Sequence, residues 1–255
     1  MRKITRKALA ATAVAATTVA LTATPALAAN QVRIQYGGDI QGTNSGVVTG
    51  YGMTYGSSLQ CTQSVATGET AIDSSASSPY LDSTVSAVGA ATLDSVSFSS
   101  PGANANDWCL TNGFLPTQVT AENLPWTFDA LPGGTGATTL GKLNNVKFTL
   151  SAPSAPCYAT IGGPGTNGTG GYIDGEYLNP STLTGNDAEL SVSFGAGNNL
   201  RAIDVHDDNP SDGTDNCAGL IQEGETVALV ATYTLQRTGP VPPAAGISPT
   251  ITYIP

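Results

Sequence analysis

The sequence predicts an all-β protein: an antiparallel β-sandwich, Ig-like or jelly-roll-like, with about ten short strands in two related halves and two disulfides. Three observations carry this expectation. Apolar and polar residues alternate at period two, and no segment after residue 30 shows the 3.6-residue period of a helix. Turn formers are abundant, with 30 Gly and 16 Pro among 255 residues, and only 11% of residues are charged. That composition suits short strands and many turns and excludes a helical bundle or coiled coil. Four cysteines in a chain with an export signal read as two disulfides.

The N-terminus is an address. Arg2, Lys3, Arg6 and Lys7 form a basic start, Ala8 to Thr22 is a weakly apolar run, and Pro25 breaks it. Ala26-Leu27-Ala28 is a small-x-small cleavage site, which predicts a signal peptide over 1–28 rather than a membrane anchor. Beyond it the chain holds five bases against 19 acids, a formal charge of −14. Such a surface disfavours nucleic acid, whose binding needs basic side chains, and anionic lipid. No later apolar run reaches membrane-spanning length, so no membrane insertion is expected after signal removal.

The strands follow in order. Val32/Ile34/Tyr36 alternate with Arg33 and Gln35, then come Tyr51/Met53/Tyr55, Leu59/Cys61 and Val96/Phe98. Trp126/Phe128/Ala130, Val146/Phe148/Leu150 and Cys157/Ala159/Ile161 continue the pattern, followed by Leu190/Val192/Phe194 and Ile203/Val205. Thr226 to Leu235 is apolar on nearly both faces and reads as a central strand. Turn clusters such as Leu131-Pro-Gly-Gly and Asn209-Pro-Ser-Asp-Gly separate the strands. The expected organisation is a first β unit over 29–118 and a second over 119–238 packed on it. A Pro-rich extended tail over 239–255 offers an edge strand at Ile251 to Ile254.

Four cysteines allow three pairings. A weak repeat bears on the choice: Val96 to Cys109 and Ile203 to Cys217 each run from an alternating strand through a polar loop to a cysteine. Cys61 and Cys157 each sit in or beside an upstream strand. One bridge per repeat gives Cys61–Cys109 and Cys157–Cys217. Chance similarity in Ser/Gly/Asn-rich sequence competes with the repeat. The spacings do not fit a zinc site.

Candidate chemistry is sparse. The single histidine, His206, could join a Ser-His-Asp triad only with Asp204 or Asp207, and adjacent carboxylates more often mark a solvated loop. Asp174/Glu176 and Asp187/Glu189 are carboxylate pairs of the kind glycosidases use, with surface acids as the plainer explanation. Gly163-Pro-Gly165-Thr-Asn-Gly168 fits G-x-G-x-x-G as a string, but no helix pattern follows it, so it reads as a loop. Asp207, Asp208, Asp212 and Asp215 crowd around Pro210 and Gly213, and hard oxygen ligands in a loop are what calcium takes. A solubilising acidic turn is the alternative, and no other cofactor is expected. Trp108 is expected to pack on the Cys109 disulfide and Trp126 to lie in the core.

Leu124-Pro-Trp126, and more fully Cys217-Ala-Gly-Leu-Ile221 running into Tyr233-Thr-Leu235, resemble a family of exported actinobacterial β-rich proteins with four cysteines. The resemblance implies export and a β scaffold, and transfers no active residue. This chain departs from the pattern in the acidic insertion before Cys217 and the Pro-rich extension after Leu235. Together these features imply a secreted, non-enzymatic module that binds a surface, glycan or protein partner or associates with the cell envelope. An extracellular carboxylate-dependent hydrolase and a purely structural envelope component are the alternatives.

Overall fold

The structure is a computed structural model that describes residues 30–155, 157–193, 197–207, 217–239 and 245–255. The expected signal peptide and most of the acidic loop therefore lie outside the described residues. Among those described are eighteen β-strands and two single-turn 3-10 helices. The antiparallel, sandwich-like all-β fold with two disulfides is present, with more strands than the sequence pattern announces.

The chain begins with β1 (Gln31–Gln35) and then rises through β2 (Asp39–Asn44) and β3 (Val48–Gly52), two segments of one long stave. It returns through β4 (Ser58–Cys61) and β5 (Gln63–Thr70). After β6 (Asp82–Ser86) it rises again through β7 (Ala91–Ser99) and β8 (Cys109–Thr111). β9 (Leu115–Glu122) and β10 (Trp126–Leu131) descend, and β11 (Thr138–Asn144) and β12 (Lys147–Ala152) ascend. β13 (Cys157–Gly162) and β14 (Tyr172–Leu178) descend, and β15 (Ala188–Val192) and β16 (Arg201–Asp207) ascend. β17 (Val227–Arg237) is the last stave, and β18 (Thr250–Ile254) ends the chain.

Each stave pairs antiparallel with the one before it, and β17 pairs with both the last and the first. Leu190 lies opposite Tyr233, and Tyr233 opposite Asn44. Arg201 bridges Thr226, and Val227 lies opposite Gly52. The layers that face each other across the core are thus walls of one sheet closed on itself, an eight-stave up-and-down barrel. Seven staves break, four near the waist at Ser45–Val47, Thr62, Asn123–Pro125 and Asn145–Val146 and three at inserted loops, while β17 runs unbroken. Closure requires strands to tilt and bend, and such interruptions absorb the bend. The described parts of the two expected units, 29–118 and 119–238, both supply staves to this one wall.

Alternation sets the inside. Trp126, Phe128 and Ala130 of β10, and Val227, Leu229, Ala231 and Leu235 of β17, are buried. Their counterparts Gln41, Thr43, Thr67, Asp94, Gln118 and Thr120 are exposed. An apolar interior and polar exterior is the reverse of a barrel immersed in lipid. Trp126 is core, as its pattern suggests, and its Nε1 donates to the Glu122 carbonyl at 2.8 Å.

One end of the barrel is capped. β18, β1 and β6 form a small antiparallel sheet, with β18 as an edge strand as the tail sequence suggests. Val32, Ile34 and Ile251 are buried beneath it. Asn179 holds β18 to the wall, accepting the Ile251 N–H at 2.7 Å and donating to the Ile251 carbonyl at 2.9 Å. Two expected strands end early: Tyr36 has φ +58° and closes β1, while Met53 and Tyr55 lie in the turn after β3. A register shift at Thr160/Ile161 makes Ala202 and Val205 the inward residues of β16.

Candidate functional site at the open end of the barrel

The end opposite the cap is built from turns. The β3–β4 turn, the β8–β9 turn, the β12–β13 turn and the segment from Cys217 to β17 meet there. Thr111, Asn112 and Gly113 lead to Phe114, which is 72% exposed. Tyr51 at the end of β3, and Met53 and Tyr55 on the turn that follows it, are each between 41% and 47% exposed. The two turns are coupled, since Asn112 N–H donates to the Ser58 carbonyl at 2.7 Å and Ser58 N–H to Asn112 Oδ1 at 2.9 Å. Asn112 and Gly113 have positive φ, which the tight turn requires and which these residue types tolerate. Four large apolar side chains at a strand end and on two adjoining turns exceed the scattered singles of an ordinary surface.

Beneath this rim lies a cavity of about 50 Å³ whose wall includes Leu115, Leu150, Ala159, Leu220 and Ile221. Leu220 and Ile221 belong to the return segment and form part of the cavity wall. That segment is fixed at two points. Cys217, in a 3-10 turn, is bonded to Cys157 with Cα atoms 4.8 Å apart. Glu225, 2% exposed, accepts N–H groups of Thr54 and Tyr55 on Oε1 and of Gln222 on Oε2. The Tyr55 hydroxyl also lies 3.0 Å from Gln222 Oε1. A buried carboxylate is tolerable only with such donors.

The cysteines pair as the repeat implied, Cys61 with Cys109 and Cys157 with Cys217; Cα atoms of the first pair are 4.6 Å apart. Cys61 lies in β4 and Cys109 in β8, so this bridge ties paired strands. Trp108 is half-buried beside Cys109, its N–H donating to Asn104 Oδ1 at 3.1 Å.

The remaining sequence candidates lie on the outer wall. His206 Nε2 is 2.6 Å from Asp204 Oδ1, and its ring stacks on Tyr158 with centroids 6.3 Å apart. All three are exposed. Asp204 borders an open hollow of about 1090 Å³ whose wall includes Lys147, Thr160, Asn167, Arg201 and Glu223. The Gly163-to-Gly168 string supplies part of that wall as a loop, and a Cβ at Gly163 would stand 2.2 Å from Gly171 N. Asp174 and Glu176 are exposed on one face of β14, while Asp187 accepts the Ser181 N–H at 3.1 Å, and hydrogen bonding from the Ser181 side chain, then from its N–H, holds the carboxyl below the usual range. Asp207 ends β16 opposite Cys157. Its side chain, and Asp208, Asp212 and Asp215, lie outside the described residues, and so does the calcium expectation placed on them.

The rim was not singled out as a site from the sequence. Tyr51, Met53 and Tyr55 alternate and so resemble a strand with one buried face; in the structure Tyr51 is exposed at the end of β3, and Met53 and Tyr55 are exposed in the turn that follows. Phe114, following Asn-Gly, was the one readable signal.

Comparison with known protein families, with characterised proteins and with solved structures gives no match for this chain.

Proposed function

We propose that the protein is an exported, non-enzymatic binding module that engages its ligand with the open end of the barrel. The observation carrying this reading is the grouping of Tyr51, Met53, Tyr55 and Phe114 at the end of β3 and on two adjoining turns, one held by Glu225 and the other by the Asn112–Ser58 hydrogen bonds. Rigid scaffolds commonly present binding residues on such turns. Two disulfides fit an oxidising compartment. The polar outer wall fits a protein surrounded by water, and among the described residues no helix is long and apolar enough to cross a membrane. Export, and the likeness to exported actinobacterial proteins, rest on the N-terminal and C-terminal sequence patterns.

The test is amide NMR with a defined panel: cellohexaose, chitohexaose, a muropeptide, an unstructured decapeptide and an apolar amphiphile. The reading expects shifts confined to residues 51–58, 111–115 and 217–225, with the ligand recovered intact. Turnover of a panel member would favour a hydrolase. Shifts elsewhere, or none, would remove the open end from consideration.

A further inference from the structure

We infer that the open end is the mouth of a binding site for an uncharged amphiphile, an alkyl or isoprenyl chain with a hydroxyl head, admitted when Leu220 and Ile221 swing outward. This rests on the reading of the open end as the ligand-contacting surface, and adds what enters it.

The shape of the interior argues for a chain. Four small cavities, of about 50, 20, 30 and 20 Å³, follow one another from the mouth toward the cap. Each shares lining side chains with the next. Leu59 and Phe148 separate the first from the second, Phe98 and Leu229 the second from the third, and Leu93 and Leu143 the third from the fourth. Rotamer changes of such partitions would join the gaps into a narrow axial channel. An eight-stave barrel is wide enough to hold one small ligand in this way.

The chemistry of the lining argues for a neutral ligand. Among the described residues no Lys, Arg, Asp or Glu lines any of the four cavities. A charged head drawn into that wall would lose its hydration with no partner. Hydroxyls are present at the mouth, where Thr111 Oγ1 lies 2.8 Å from Thr117 Oγ1 and Ser57 and Ser58 join the wall. They suit a single hydroxyl head.

The obstruction is removable. Leu220 and Ile221 hang between the Cys157–Cys217 bridge and Glu225, and the Gln222 contacts to Glu225 and Tyr55 are what draw the turn inward. Outward movement would bring two aliphatic side chains toward the exposed aromatic rim, which also offers a first landing for the tail.

The experiment titrates the full disulfide-bonded protein with the fluorescent probe N-phenyl-1-naphthylamine, then competes with 1-dodecanol or dodecanoate at neutral pH. A saturable fluorescence rise is expected, displaced by dodecanol at concentrations where dodecanoate is without effect. Ala159→Phe, which fills the first cavity, should weaken the probe roughly tenfold or more, equivalent to about 1.4 kcal/mol. Ile221→Ala, which removes the plug, should strengthen it. No saturable rise, equal displacement by dodecanoate, or a folded Ala159→Phe protein that binds as before would each overturn the inference. If the probe fails while a glycan or peptide shifts the rim amides, the open end stands as a site and only the amphiphile falls. If neither engages the rim, both fall.

Discussion

The carboxylate of Glu225 accepts the backbone N–H of Tyr55 at 3.2 Å, joining residues 170 positions apart. Two further N–H groups, of Thr54 and Gln222, depend on the same side chain. Glu225→Ala leaves these partly buried donors without their acceptor, and the expected loss is about 1–3 kcal/mol, read as a lower urea midpoint. Glu225→Gln keeps one acceptor oxygen and should lose less. Equal stability of the alanine variant and the parent would show that water replaces the carboxylate without cost.

The two disulfides close loops of 48 and 60 residues. The chain-entropy account gives each about 4 kcal/mol. Replacing either pair by alanines should lower the melting temperature, but only loss of Cys157–Cys217 should speed proteolysis between residues 217 and 224. Cleavage there at the parental rate would mean that Glu225 alone holds the return segment.

Gly141 leaves room for Phe128. A Cβ at residue 141 would stand 2.1 Å from the Phe128 ring and 2.9 Å from the Asp129 carbonyl. Gly141→Ala should destabilise the barrel by about 1–3 kcal/mol, the usual cost of overpacking. Adding Phe128→Leu should recover part of that loss. Simple additivity of the two changes would refute the contact as the cause.

Alkali should unfold the protein through its tyrosines. Burial pushes the Tyr233 phenol up to about 12 and raises that of Tyr177 further. A raised folded pKa contributes stability that is complete below the unfolded value near 10 and is lost as pH rises through the folded value. Phenolate absorbance should therefore rise together with loss of β-sheet circular dichroism. Tyr177→Phe, which gives up the hydrogen bond to the Pro249 carbonyl, should cost about 1 kcal/mol at neutral pH yet move the alkaline transition upward.

On the acid side, Arg33 holds the Asp82 carboxyl below its usual range through their hydrogen bonds. A depressed folded pKa gives stability present above the unfolded value near 3.8 and lost as pH falls through the folded one. Both partners are about half exposed, so Asp82→Asn should reduce neutral-pH stability by less than about 1 kcal/mol and flatten the acid limb.

Strands whose inward positions are large were legible: Trp126/Phe128/Ala130 and the apolar run to Leu235 stand out by period. Strands whose inward positions are small were not. β2 turns Gly42 inward, β5 Ala66, and β11 Gly141, because large side chains on neighbouring staves fill the shared interior. Phe128 over Gly141 is the clearest case. The disulfide pairing was readable because the bridges repeat, and the edge strand in the tail because Ile251 to Ile254 alternates after a Pro-rich stretch. Closure was not readable, since it depends on Ala188 to Val192 and Asp39 to Asn44 meeting β17 from opposite sides. The open end was missed for the same reason: only a closed wall gives Met53 and Phe114 a common rim.

The position of β17 has a consequence for how the chain comes into being. A growing polypeptide delivers seven staves before residues 227–237 appear, and until then the wall is an open sheet with two unpaired margins. Both margins pair with β17, so the wall cannot close before that stave has been made. Non-local pairing of this kind is slow. The unfinished chain would stay pliable until nearly all of it has been made, the condition under which a polypeptide can still be threaded through a narrow pore before it sets.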